Sequence, residues 1–530
     1  MDPERHEREG VERTADEGQL QAQGHETDLP RAFSFFSTLA LAFSITNTWI
    51  GYSETFVTPL LAGSGKAVFW CLVLACIACT IIAAGLAELA SAFPSSGGQY
   101  HYAFMVAPKA YRAPIAFVTG WLSCLGWLFT TASTGVFCSQ ASVSLAALYH
   151  PAYVWTQWQV WCIYALIMII ACAIICLLPA WIPRAEQCFL GISILGFLVS
   201  LITDLVASPT KQPAKVVFSD WNNTTGWPDG LAFLVATGQA MYGFLGLDAA
   251  THIAEELPDP GRDVPRVLML IMIMGSATTI PWAIAFMFST NDLGSVASSF
   301  LPIWEVYHQA TKSQSAATFF AVWIVFIYFG ALVSCFLTSG RLLWAFSRDG
   351  GLPYSKTFAF IHSSLRAPVN ATLLASIFIV LLGLLNIAST TAFNSIVSLA
   401  ILASNATSTI PQTMVLLRGR SVLPPRSFNL GTIVGPFANG FSTVYVALYI
   451  VVFCIPVYRD VTSSSMNYVS AVLVGILILV AILWFSGKSR TFSGPQVDFV
   501  HGIDPVAGQG PLDNVLVCEA SKETAVLKTE

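Results

Sequence analysis

Charge is what this chain has least of. Of its 530 residues, 10% are Asp, Glu, Lys or Arg and 55% are hydrophobic, whereas an average soluble domain is roughly 25% charged. So sparse a set of charges excludes a soluble fold. A nucleotide-driven pump is equally unsupported. Gly63-Ser64-Gly65-Lys66-Ala67 looks like part of a phosphate-binding loop, but Leu60 stands where its first glycine belongs, and Ala67 where a magnesium-holding Ser or Thr belongs. No hydrophilic stretch is long enough for a nucleotide-binding domain. Residues 1–30 hold nine acids and three arginines around no apolar core, so this stretch reads as neither a signal peptide nor a span.

The twelve cysteines follow no disulfide framework; they are scattered, nearly all within or beside apolar stretches. Cys76-Ile77-Ala78-Cys79 lies inside one such stretch without a second pair, and reads as packing. His101, His252 and His362 sit on separate segments, which argues against a membrane enzyme with clustered histidine and carboxylate ligands. The chain is therefore expected to have no catalytic residues, no metal, no cofactor and no nucleic-acid partner.

What it does have is apolar length. Crossing about 30 Å of hydrocarbon at 1.5 Å per helical residue takes about 20 residues. Twelve segments qualify, at 33–56, 67–92, 114–147, 160–180, 186–207, 231–256, 266–289, 316–345, 369–388, 391–417, 440–458 and 467–486. With both tails cytoplasmic, only Lys66, Lys211, Lys215, Lys312 and Arg459 of the 25 Lys and Arg fall outside, as the positive-inside rule requires. Asn222 and Asn223 head two overlapping glycosylation acceptors in the outer loop after the fifth segment. Residues 1–32 and 488–530 read as cytosolic tails, the first disordered and both open to trafficking partners. Residues 33–458 read as a core with its eleventh span, and 459–487 as the twelfth span with its preceding loop.

Two of the segments are interrupted midway. Ile45-Thr46-Asn47-Thr48-Trp49-Ile50-Gly51 and Tyr242-Gly243-Phe244-Leu245-Gly246-Leu247-Asp248 are costly in lipid unless the released backbone groups line a cavity. Paired breaks at matching places in two halves point to a transporter's substrate site. Thr46, Asn47, Thr48, Trp49 and Gly51, with Tyr242, Gly243, Phe244 and Gly246, are the candidate substrate residues. The alternative is that Asn47 and the threonines only hold helices together, and that the aromatics only pack.

Beyond the second break, Asp248, His252 and Glu255 or Glu256 share a helical face. Ionisable groups at this depth are candidates for proton or cation handling, although Asp248 is also placed to be an N-cap. Glu88, near the inner end of the second segment, suits a gate, a proton carrier or an interfacial group equally. Glu255, Glu256, Arg262 and Arg341 are the candidate inner gate.

At these residues a family resemblance emerges. Ala87-Glu88-Leu89-Ala90-Ser91-Ala92-Phe93-Pro94-Ser95-Ser96-Gly97-Gly98-Gln99-Tyr100, the stretch from Gly246 through Glu256 to Arg262-Asp263-Val264-Pro265, and Leu337-Thr338-Ser339-Gly340-Arg341 with Ala345-Phe346-Ser347-Arg348-Asp349-Gly350 resemble fungal amino acid/choline (GABA/choline) permeases of the amino acid-polyamine-organocation superfamily. The resemblance covers roughly residues 35–490. It implies an all-α polytopic membrane protein with twelve transmembrane helices. Ten would form a five-plus-five inverted-repeat, LeuT-like core with helices 1 and 6 broken, and two would be accessory. It also implies plasma-membrane residence and Thr338 and Ser339 at positions where sodium-coupled relatives bind their ion. Some proton-coupled relatives carry a lysine in span five; residues 188–204 here contain none, leaving Glu88 or Asp248 as proton carrier. The expectation is a secondary permease in the lipid bilayer for a small amine or amino acid such as choline or GABA, coupled to H+. A transporter-like nutrient sensor and an exporter of a specialised metabolite are the alternatives.

Overall fold

Backbone amides in lipid have no water to bond to, so an apolar chain satisfies them within helices. The computed structural model describes residues 31–150, 152–462 and 466–495, without the side chains of 390–392 and 394. Among the described residues it is helical throughout; one isolated bridge, His362 with Ala367, is the only β pairing. The expected tails lie outside the described residues except for 31–32 and 488–495.

In chain order, α1 is Phe35–Thr46, α2 Thr48–Thr55, α3 Val57–Ala92, α4 Gln99–Val106, α5 Arg112–Tyr149, α6 Gln157–Leu177 and α7 Ile182–Ala207. Then come α8 Asp229–Ala240, α9 Pro260–Ser289, α10 Pro302–Thr311, α11 Gln314–Arg348, α12 Val369–Ala388, α13 Thr390–Arg418, α14 Gly431–Val452 and α15 Val469–Leu483. Ten helical segments among the described residues are long and apolar enough to cross a membrane. The first expected span is missing from that group because Asn47 cuts it into helices of 12 and 8 residues. The tenth corresponds to α13, whose interior carries buried Asn405, Thr407, Ser408 and Gln412.

Leu166, Ile169 and Ile170 on α6, Ile202 and Val206 on α7 and Ile478 and Ile482 on α15 face outward. An apolar belt of this kind marks a lipid-facing surface rather than a soluble one. Inside, hydroxyls bond back to their own helix, as Thr130 does to Gly126 O and Thr131 to Trp127 O, each at 2.8 Å. Such back-bonding satisfies these hydroxyls within the apolar interior. Ser34 starts α1 with a capping box: its Oγ accepts from Ser37 N, and its own N–H donates to Ser37 Oγ at 2.8 Å.

Helix packing follows a regular order. α3 lies along α9, α5 along α11, α6 along α12, and α2 against the 3-10 turn Met241–Phe244. These contacts bring both broken segments to the centre.

Several boundaries differ from the sequence expectation; α3, for one, begins at Val57 rather than 67. The eleventh span runs Gly431–Val452 rather than 440–458, because Pro436 near its start forfeits one helical bond without stopping the helix. The C-terminal segment also stays attached past residue 487. Lys488 Nζ donates to the Gly350 and Leu352 carbonyls at 2.6 Å each, and buried Phe492 packs on Phe117 at 5.4 Å.

Candidate functional site

The first break is one residue wide. Asn47 adopts φ 22, ψ 59; its N–H closes α1 on Phe43 O at 2.7 Å, and its carbonyl opens α2 by accepting from Ile50 and Gly51. Thr48 and Trp49 N–H consequently donate to no carbonyl of α1 among the described residues. Ser193 Oγ of α7 donates to Asn47 Oδ1 at 2.9 Å and accepts from Trp49 Nε1 at 3.1 Å. Trp49 then packs edge-on to Trp282 at 5.8 Å. The structure therefore turns Trp49 toward α7 and α9, and Thr46 Oγ1 back onto Ala42 O at 2.8 Å. Thr48 Oγ1 and Asn47 Nδ2 are buried without a partner.

The second break is wider. After α8 the chain makes the 3-10 turn Met241–Phe244, passes through extended Leu245 and Gly246 at φ +78, and resumes as a 3-10 helix, Ala249–Glu256. Gly246 is needed twice over, since its backbone is left-handed and a Cβ there would strike Ile45 and Trp127. Gly51 and Gly243 are the contact between the breaks. A Cβ on Gly51 would lie 3.2 Å from Gly243 Cα, and one on Gly243 3.2 Å from Thr48 O. Tyr242 shares a hydrogen bond with Ser133 at 3.0 Å and meets Phe137 edge-on at 5.5 Å, while Phe244 is buried.

Asp248 precedes that 3-10 helix, yet its side chain caps nothing. Its Oδ2 instead accepts from Gln99 Nε2, from Trp127 Nε1 at 3.1 Å and faces His252 Nε2 at 3.1 Å, whereas Oδ1 has no partner. The N-cap alternative is thereby corrected: the carboxylate points across to α4 and α5. His252 Nδ1 faces Ser96 O at 3.3 Å. Gly98, at φ +58, lets this loop press close, because a Cβ would stand 2.9 Å from both His252 Cε1 and Thr251 Oγ1.

One end of the bundle is locked by buried ion pairs. Arg341 Nε donates to Glu256 Oε1 at 2.6 Å, and Arg348 grips both oxygens of Glu255 at 2.8 and 3.0 Å. Three of the four gate candidates thus meet there, with Arg348 as an added member. Arg262 does not join them: it is exposed and has no ion-pair partner among the described residues.

Glu88 is neither an interfacial group nor a neighbour of Asp248. It is buried, with Arg420, Arg426 and the Leu430 N–H all donating to its carboxylate, so two arginines from the α13–α14 connection hold it in place. Thr338 Oγ1 bonds back to Ser334 O at 3.0 Å, and Ser339 Oγ to Thr131 Oγ1 at 2.8 Å, which ties α11 to α5. Asn222 is exposed, whereas the Asn223 amide donates to Trp227 O and Asp229 Oδ1; that engagement argues against Asn223 as a glycan acceptor.

Among the carboxylates that escaped the sequence reading are Glu186 and Glu54, and Asp204 is buried on α7 as well. Glu186 is fully buried on α7 and accepts from Ser334 Oγ at 2.7 Å. It looked like a span boundary, but α7 begins a full turn earlier at Ile182. Glu54, near the end of α2, faces a cavity of about 440 Å³ at the end of the bundle opposite the ion pairs. Only its sign, the one acid in the first apolar segment, could have flagged it.

Comparison with known proteins agrees with this architecture. The amino acid permease family model matches residues 33–480. The choline transporter of Saccharomyces cerevisiae is 33% identical over 89% of this chain and 84% of its own length. The swainsonine transporter of Arthroderma benhamiae is 29% identical over 88% and 94%. An uncharacterized amino-acid permease of Schizosaccharomyces pombe is 29% identical over 91% and 90%. The family match spans both helix breaks, the Asp248 cluster and the locked end, and the chain belongs to the amino acid permease family.

Proposed function

We propose that this protein is a proton-coupled secondary permease that moves a small amine-bearing solute, such as choline, GABA or an amino acid, by alternating access. The observation that carries the reading is the meeting of the two breaks at Gly51 and Gly243, with the Glu256–Arg341 and Glu255–Arg348 ion pairs at one end of the bundle, beside a cavity of about 710 Å³, and the cavity of about 440 Å³ beside Glu54 at the other. Binding at discontinuous helices needs released peptide groups near the midplane, and one closed mouth at a time is what alternating access requires.

Twelve spans with a five-plus-five inverted repeat are part of the proposal. Its support is that the first four spans pack on the sixth to ninth in register: broken on broken, α3 on α9, α5 on α11 and α6 on α12. The sealed end is read as cytoplasmic, with both tails there, and the membrane as the plasma membrane. Asn222 then lies outside and is the proposed glycan acceptor.

Proton coupling is argued from His252. Both its ring nitrogens face acceptors, Ser96 O and the Asp248 carboxylate. A neutral imidazole has only one N–H, so the Asp248–His252 pair is complete only with one extra proton shared between them. A buried pair that holds one labile proton beside a helix break suits a coupling site.

The test is uptake of labelled choline, GABA and amino acids into vesicles of purified protein under an imposed pH gradient. Accumulation that a protonophore collapses is expected; no accumulation of any of them under any gradient rejects the proposal.

A further inference from the structure

We propose that Glu54 and the aromatic groups around it form an outer recognition site that admits amines carrying a net positive charge and turns away zwitterions and anions. The inference rests on the permease reading and adds a substrate class to it.

The cavity beside Glu54 has a volume of about 440 Å³, ample for a solute of amine size. Thr55, Thr58, Phe137, Gln239, Ser398 and Tyr458 are among the residues around it, and Glu54 is the one formally charged residue that lines it. Among the described residues no side chain or backbone group bonds to the Glu54 carboxylate. A carboxylate held in a recess without a counter-charge attracts a cation more strongly than one in open water, because the low surrounding dielectric screens it less.

Rings complete the site. Phe137 meets Tyr242 edge-on at 5.5 Å and Tyr328 at 6.4 Å. Aromatic faces next to a carboxylate are a chemistry that suits an alkylated ammonium, whose charge is spread over carbon and is lightly hydrated. An amino acid zwitterion would bring its own carboxylate toward Glu54, with no Lys or Arg in the lining to receive it.

The position fits a filter on the way in. Tyr242 directly precedes Gly243, where the two breaks touch, so the Phe137–Tyr242 contact stands between the recess and the central site. A cation held at Glu54 is one ring contact from the helix breaks.

The experiment compares choline, its uncharged isostere 3,3-dimethylbutanol and the zwitterion GABA as competitors for binding of labelled choline to purified protein, in parallel with vesicle uptake. Wild type is expected to prefer choline over the isostere by at least tenfold. Glu54→Gln should cut that preference by about tenfold or more, equivalent to about 1.4 kcal/mol. Glu54→Asp should keep most of it. Thr58→Lys, which places an ammonium in the same recess, should weaken choline binding as Glu54→Gln does, and serves if Glu54→Gln fails to fold. A choline-to-isostere preference unchanged in Glu54→Gln or in Thr58→Lys overturns the inference, as does tighter binding of GABA than of choline by wild type. Binding that obeys these expectations without accumulation in vesicles would reject the permease reading and keep the recognition site.

Discussion

Gly243 Cα fills the space in which a side chain of Gly51 would stand, 3.2 Å from where the first carbon of that side chain would be placed. Two interrupted helices touch there through backbone alone. Overfilling a tight contact costs about 1–3 kcal/mol even for small additions. Gly243→Ala should therefore lower uptake by about tenfold, and Gly243→Leu should abolish it, with surface abundance within about twofold of wild type. Labelled uptake alongside surface biotinylation checks this, and normal transport by Gly243→Leu would remove the helix contact from the substrate route.

The Asp248–His252 pair makes a prediction about protons. In wild type, uptake should rise as the outer solution is acidified. Asp248→Asn retains an oxygen for Gln99 and Trp127 but cannot share a proton with His252, so the pH profile should flatten while exchange of substrate without net proton movement persists. Glu88→Gln is the contrast, since Glu88 is saturated by Arg420, Arg426 and Leu430 N–H. It should lower thermal stability and leave the pH profile alone. An Asp248→Asn profile that overlays wild type would return that carboxylate to a packing role.

The breaks, the signature loop and the charged end could be read from the sequence because each violates the apolar rule of a membrane helix. Polar Thr46-Asn47-Thr48 and paired glycines at 243 and 246 stand out against long apolar runs. Which of those side chains face the cavity could not be read. Trp49 and Thr46 lie within two residues of Asn47 in sequence, yet one turns to Ser193 and the other to its own helix. That choice depends on a one-residue change of φ at Asn47, which residue type alone does not dictate. Glu88 misled for a different reason. Its partners, Arg420 and Arg426, lie more than 330 residues along the chain, so the pairing is invisible until the fold brings the α13–α14 connection beneath α3.

The sealed end predicts a rescue. Removing one member of a buried pair strands the other charge and costs about 3–5 kcal/mol. Glu256→Ala should therefore leave Arg341 uncompensated, loosen that mouth and increase the accessibility of an engineered cysteine at Ser37 to a charged thiol reagent. The double exchange Glu256→Arg with Arg341→Glu should restore wild-type accessibility. Failure of the exchange, with each single variant behaving normally, would show that the ion pair does not hold the mouth closed.

Asp349 adds a pH dependence to the same end. It follows α11 directly, and Tyr100 Oη donates to its Oδ2 at 2.8 Å. Burial pushes its carboxyl up from 3.8 to about 6, against the opposing pull of the Arg348 guanidinium and the Tyr100 hydrogen bond. Because the folded value lies above the unfolded one, the fold favours the protonated acid. That contribution is full below about pH 3.8 and is lost as pH rises through about 6. Asp349→Asn mimics the protonated form and carries no such dependence. Melting temperatures of the two proteins, measured side by side in detergent from pH 4 to pH 7.5, should diverge as pH increases, with wild type falling behind the variant by an amount on the order of 3 °C. The comparison isolates one carboxyl because every other titrating group is common to both proteins. A difference in melting temperature that stays constant across this range would mean that Asp349 is already ionised at pH 4 in the folded protein.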